Sequence, residues 1–144
     1  MKIQYSHELP VSKHIAFDAI IDPNNLQNVV PGCESFEISS LNSYLISSKL
    51  KFGNIQGVYK CKLEVIDIRH PDSLRLTLNA KGTGARIQGE VTMIFNTLPA
   101  VTEVVVEGYV KVTGFAAIAG QNILSGAANV FLKQFFSSLK YSNK

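Results

Sequence analysis

The chain has 144 residues, 46% of them hydrophobic and 17% charged, with a net charge of +3. That length and apolar content supply one domain with one core, and the charged fraction falls below the usual quarter or so of a soluble protein. The shortfall points to apolar surface beyond what a core needs, such as a lined cavity. Lys and Arg are scattered, without the dense basic stripe and interleaved aromatics of a nucleic-acid binder, so no nucleic acid is expected as a partner. Cys33 and Cys61 are too few for a disulfide framework and fit two reduced thiols in a cytoplasmic protein. The polar–apolar alternation from Lys2 is unlike a signal peptide. The apolar stretch from Phe115 is broken by Gly120, Gln121, Asn122 and Ser125, so it does not read as a membrane span. A soluble cytoplasmic protein with at most peripheral membrane contact is expected.

Residues Lys2 to Leu9 alternate, with Ile3, Tyr5, His7 and Leu9 on one face, and predict a half-buried strand ended by Pro10. Ser12 is placed to cap a short helix over Lys13 to Ile21, with Ile15, Ala16, Ala19 and Ile20 inward. Asp22-Pro23 restarts a second helix, since Asp caps well and Pro suits the first helical position, and Pro31-Gly32 stops it. From Glu34 to Thr113 the period is that of strands. Turn signals fall at Asn42-Ser43, Gly53-Asn54, Pro71-Asp72, Gly82 to Gly84, and Pro99-Ala100. Six consecutive strands with one apolar parity make an antiparallel sheet that must be covered on one face.

The cover is the last segment, Phe115 to Leu139, read as one continuous helix. Leu124, Ala128, Phe131, Leu132, Phe135 and Leu139 share one face, with Asn122, Asn129, Lys133 and Lys140 opposite. About 25 residues would span roughly 37 Å, enough to cross a whole sheet. Its inner face is uneven: Ala117, Gly120, Gln121, Ala127 and Ala128 come first, and Phe131, Leu132, Phe135 and Leu139 follow. A helix tapered in this way seals one end of a curved sheet and leaves a hollow at the other, with Gln121 as one polar group inside. Apolar cavities with few polar groups are where hydrophobic ligands bind. The competing explanation is that small residues simply let a helix approach its neighbour closely.

This order of elements resembles the helix-grip arrangement of the START and Bet v 1-like superfamily. It is an α+β fold in which a curved seven-stranded antiparallel sheet wraps a long C-terminal helix, over a single domain of residues 1–144. Asp22-Pro23 with Val30-Pro31-Gly32-Cys33-Glu34, the glycine-bounded segment Lys51 to Gly57, and Ala80 to Gly84 are similar to the CoxG family, named for an accessory protein of carbon monoxide dehydrogenase. So is the ending from Gly114 to Phe136, with Gly120, Gly126, Ala127 and Phe135-Phe136. The resemblance implies a hydrophobic-ligand-binding accessory protein, with a lipid-like or quinone-like ligand and a molybdenum hydroxylase of the carbon monoxide dehydrogenase type as partner. Some members continue into a membrane-attaching tail, whereas this sequence stops at Tyr141-Ser142-Asn143-Lys144, so direct anchoring is not expected.

The expected ligand lining is Tyr59, Cys61, Leu76, Leu78, Val91, Met93, Val106, Gln121 and Leu124, with Cys33 at the cavity rim. No metal is expected, because His7, His14, His70, Cys33 and Cys61 show no short ligand spacing. No cofactor is expected either: Gly82-x-Gly84 lacks the Lys-Ser/Thr and helix of a phosphate loop. Cys33 has no base near it in sequence to activate a thiol, although His7 could approach it in space. Asp67 shares parity with Val65 and could point inward at a strand end. A non-catalytic carrier is therefore favoured. A cavity enzyme, which needs an inward titratable group, and a ligand-free docking module remain as alternatives.

Overall fold

The computed structural model describes residues 1–53 and 55–141. In chain order the elements are β1 (Lys2–Leu9), α1 (Lys13–Ile21), α2 (Pro23–Val29), β2 (Cys33–Ser40), β3 (Ser43–Phe52), β4 (Ile55–Arg69), β5 (Ser73–Gly82), β6 (Ala85–Leu98), β7 (Val101–Gly114) and α3 (Gln121–Ser137). A short 3-10 helix, Phe115–Ala119, joins β7 to α3.

Short turns make consecutive strands neighbours, and the sheet order is β1-β7-β6-β5-β4-β3-β2, antiparallel throughout. β1 returns to pair with β7, Lys2 opposite Tyr109 and Leu9 opposite Thr102. Phe52 lies opposite Ile55, so the Gly53-Asn54 signal sits at a hairpin, although Asn54 itself lies outside the described residues. Period-2 alternation then assigns faces. Met93 and Phe95 on β6, and Val104 and Val106 on β7, are buried together against the helical layer.

Two apolar clusters stand at opposite ends of the sheet's inner face. The larger gathers Phe17, Leu9, Phe95, Val104 and Phe136 beneath α1, α2 and the second half of α3. Phe17 and Phe95 rings pack with centroids 4.9 Å apart. The smaller cluster holds Leu50, Tyr59, Ala80, Ala85 and Ala116 near the start of α3. Asn25, a buried polar residue on α2, ties the layers together. Its side-chain amide donates to the carbonyls of Ala19 at 2.8 Å and Lys140 at 2.9 Å. A buried amide with both donors engaged avoids the desolvation cost of an unpaired group.

Two local expectations are corrected. The C-terminal helix does not run unbroken from Phe115. Gly120 adopts φ 90°, ψ 163°, a conformation open in practice only to glycine, and an α-helix cannot pass through it. The resulting α3 has 17 residues, a length of about 25 Å. Ser12 occupies the N-cap position of α1 but makes no capping bond, its hydroxyl lying 3.3 Å from His14 Nδ1 instead. Asp22 does cap α2, accepting from Asn24 N at 3.0 Å.

The Pro31-Gly32-Cys33 segment has a structural cause. Gly32 has φ 69°, and its carbonyl accepts from Lys49 N at 2.8 Å. A Cβ there would fall 2.0 Å from the Lys49 carbonyl oxygen. Gly32→Ala is therefore expected to cost more than about 1 kcal/mol, combining strain and backbone clash. A urea titration checks this; an unchanged midpoint contradicts the close approach.

Candidate functional site: an apolar hollow between helix and sheet

α3 makes its principal sheet contacts with β1 and β3, at the two flanks, and passes over β4, β5 and β6 without comparable contact. Beneath it lies a cavity of about 250 Å³. The sheet side presents Tyr59 and Cys61 from β4, Leu76 and Leu78 from β5, and Val91 and Met93 from β6. Val106 on β7 completes this wall, and Leu124, Ala127, Ala128 and Phe131 face it from α3. The small Ala127 and Ala128 stand over the hollow itself, so these small residues open space as well as permitting approach. The hollow exceeds the ~150 Å³ of an apolar cavity known to stay dry and hold benzene.

Of the residues expected to line a ligand site, Tyr59, Cys61, Leu76, Leu78, Val91, Met93, Val106 and Leu124 are brought together on this wall. Gln121 is not. It shares a helix face with Leu124 and Ala128, but as the first residue of α3 it lies a turn beyond Leu124 and is exposed. Cys33 is not on the lining either. It opens β2, packs half-buried against the larger core, and its thiol lies 3.5 Å from the Ser35 carbonyl. The sequence reading missed Ile20, Leu26 and Val30, which close the end of the hollow from α1, α2 and the residue after it. Ile20 was legible as an inward residue of a short helix; what it faces depends on how that helix folds back on the sheet.

Ser48, Tyr59 and Cys61 carry the only hydroxyl or thiol groups on the described lining. Burial pushes the Cys61 thiol up to about 11, against a smaller opposing effect of the Asn79 backbone. Burial raises the Tyr59 phenol as well. Both groups stay protonated near neutral pH, and the described side chains of the wall carry no charge. His7 and Asp67, the candidate inward acid–base groups, lie elsewhere. The His7 ring stacks on Phe136 with centroids 5.5 Å apart, and its Nδ1 is 2.9 Å from the Tyr5 hydroxyl. Burial, aided by Lys133, lowers its pKa. Asp67, at φ 47°, is exposed and pairs with Arg75 at 2.8 Å. His70 Nε2 stands 2.9 Å from an Asp18 carboxylate oxygen at the surface. Among the described residues no group of three His, Cys, Asp or Glu side chains is placed to hold a metal ion.

A curved seven-stranded sheet, two short helices and a C-terminal helix held over an apolar hollow define a START-like helix-grip domain. The chain belongs to the CoxG family: the family described as the G subunit of carbon monoxide dehydrogenase (CoxG) matches residues 7–142. Among solved structures it is similar to a conserved protein from Geobacillus kaustophilus, at 24% identity and TM-score 0.91, covering 96% of this chain and 91% of that one. It is also similar to a START superfamily protein from Mycobacterium smegmatis, at 10% identity and TM-score 0.71, covering 95% and 92% of the two chains. A protein from Chromobacterium violaceum matches at 16% identity and TM-score 0.65, over 96% and 97%. At these identities the structural likenesses establish the fold alone. No curated protein sequence matches the chain.

The buried thiol gives a pH test of the cavity wall. The folded protein keeps a proton on Cys61 that the unfolded chain gives up above about pH 9, so stability is intact below that pH. It declines as pH rises from about 9 to about 11. The loss attributable to Cys61 is on the order of 2–3 kcal/mol. Urea unfolding of wild type and Cys61→Val across this range checks it, with the variant expected to show the shallower decline. Equal slopes would mean that Cys61 is hydrated.

Proposed function

We propose that this domain is a non-catalytic carrier or accessory protein that holds an apolar small molecule, lipid-like or quinone-like, between the sheet and α3. The observation that carries this is the size of a wall with no charged side chain among the described residues. Left empty, a hollow of about 250 Å³ deprives its apolar lining of packing partners. An occupant restores the missing contacts. Its chemistry follows from the lining: an aliphatic or isoprenoid body suits the Leu, Val, Ile and Met walls, and among the described residues only Ser48, Tyr59 and Cys61 offer weak polar contacts. Binding at such a site draws on burial of apolar area, about 25 cal/mol per Å².

An enzyme on this scaffold would need a titratable group aimed at the ligand with its proton affinity tuned near neutrality. Cys61 and Tyr59 are tuned in the opposite direction, since burial holds both protonated. Membership of the CoxG family supports an accessory role, and the family's name supplies the proposed partner, a molybdenum hydroxylase of the carbon monoxide dehydrogenase type.

Native mass spectrometry of gently purified protein, with organic extraction of anything released, tests the reading. A quinone, lipid or other apolar compound at near one-to-one stoichiometry is expected. Ala128→Phe, which fills the hollow from the helix side, should abolish that occupancy while the fold persists by circular dichroism. An apo mass unchanged after incubation with quinones and fatty acids, or undiminished loading of the variant, would overturn it.

A further inference from the structure

Charge is segregated along this molecule. β3 and β4 meet at the hairpin after Phe52, β5 and β6 at the turn after Gly82, and β7 ends beside that turn, Gly114 opposite Ala85. The 3-10 helix and the start of α3 follow directly. This end of the fold comprises residues 47–61, 79–89 and 110–132. It carries Lys49, Lys51, Lys60, Lys81, Arg86 and Lys111 and no Asp or Glu, while Lys62, in the same row of the sheet as Lys111, pairs with Glu64 just beyond. The chain as a whole has 14 Lys and Arg and 11 Asp and Glu. Removing the six cations from the 14 leaves eight against all 11 carboxylates, so this end is +6 and the remainder −3. All six cations are exposed, and among the described residues none takes part in an ion pair. The strand register clusters them, with Lys60 opposite Lys81 and Lys81 opposite Arg86. The carboxylates beginning just beyond are Glu34 on the edge strand β2, Glu64 on β4 and Glu90 on β6.

The same end exposes apolar side chains. Phe115 is 73% exposed, Ile118 77% and Ile123 52%. Ile123 reaches over Gly53 at the β3–β4 hairpin, and Phe115 stands against Gly84 of the β5–β6 turn. These residues adjoin the cavity: Phe52, Ile55, Leu124 and Phe131 line it from the same hairpin and helix. The Phe52 and Phe131 rings meet edge to face, with centroids 5.7 Å apart. Exposed Phe and Ile side chains and unopposed cations gathered at one end of a fold are the surface that an anionic bilayer selects. The apolar tips enter the boundary between headgroups and acyl chains, and the Lys and Arg side chains reach back to the phosphates. A folded partner of matching shape is less favoured, because the cations are spread over five strands instead of surrounding a single recess.

We propose that this end of the domain docks directly on an anionic lipid surface, with Phe115, Ile118 and Ile123 inserted and the six cations in the headgroup layer. The folded domain supplies this contact from its own surface. The docking stands independently of the cavity occupant. Where the carrier reading also holds, an apolar ligand passes between acyl chains and the hollow through the neighbouring Phe52–Phe131 contact.

The chain has no Trp, so Phe115→Trp places a single reporter in the patch. Vesicles of phosphatidylcholine, with and without phosphatidylglycerol, are added while fluorescence and co-sedimentation are followed. The expected result is a blue shift and sedimentation with the anionic vesicles only, reversed by salt. Lys51→Gln with Lys81→Gln should weaken binding roughly 30-fold, about fivefold for each cation. Ile118→Ser should reduce it further without changing the melting temperature. Arg69→Gln with Lys140→Gln, outside the patch, should leave it unchanged. Absence of vesicle binding overturns the proposal, as does binding insensitive to the patch variants, or patch variants that impair only capture of an acidic protein. Ala128→Phe separates the two readings. A variant that loses ligand but still sediments shows docking to be independent of the occupant, wild type that sediments but carries no ligand isolates failure of the carrier reading, and wild type that loads ligand but ignores vesicles isolates failure of docking.

Discussion

The arrangement depends on one constraint: α3 bears on the flanks of the sheet and stands clear of its centre. Contacts to β1 and β3 carry the helix. Phe135 and Phe136, buried near its C-terminal end, fix its height over the larger core. A rigid rod supported in this way cannot sag to fill the space above β4 to β6, and the Ala127–Ala128 step widens that space. Close-packed interiors penalise unfilled volume, so a hollow of this size persists because stiff elements hold its walls apart. Gly120 contributes by breaking the helix, so that the 3-10 segment can cross the end of the sheet while α3 takes its own direction.

The chemistry of the wall follows from the same geometry. Strand alternation directs every second residue of the central strands into the hollow, and on that parity the chain carries Leu, Val, Met, Tyr and Cys. Lysines, glutamates and arginines occupy the other parity and reach water. Burial of Cys61 and Tyr59 then suppresses ionisation, so the groups that could have served catalysis behave as apolar lining. Titratable groups with partners, such as His70 with Asp18 and Arg75 with Asp67, stay at the surface.

Holding and docking draw on opposite faces of the same strands. The inward parity at the hairpin end makes the cavity, and the outward parity carries Lys49, Lys51, Lys60, Lys81, Arg86 and Lys111. Since the sheet period is two, a shift of one residue in register would exchange them, putting lysines in the hollow and leucines in water. Register is therefore the variable that links stability to both proposed functions, and the close approach of Gly32 to Lys49 is one place where it is pinned.

Much of this was legible in sequence because it depends on local periodicity. Alternation gave the strands, turn residues gave their ends, inward strand parity gave the seven cavity residues from Tyr59 to Val106, and the helical phase gave Leu124. The failures share one cause: each needed information about how an element ends or where it sits. Gln121 has the right helical phase, but phase alone does not say that the cavity stops before the first turn of α3. A continuous helix from Phe115 fits the wheel, and only the backbone at Gly120 reveals the break. Cys33 follows a helix stop where a rim residue would stand, but the pairing of β2 with β3 sets it against the larger core. The charge segregation was invisible in a chain whose cations are evenly scattered, because hairpin pairing between β3 and β4 and between β5 and β6 is what gathers them. Sequence by itself determined which residues face inward and what the wall is made of, because side-chain parity is a property of the strand. Tertiary structure alone decided that the wall encloses a hollow and that one end is cationic, because both arise from contacts between segments far apart in the chain.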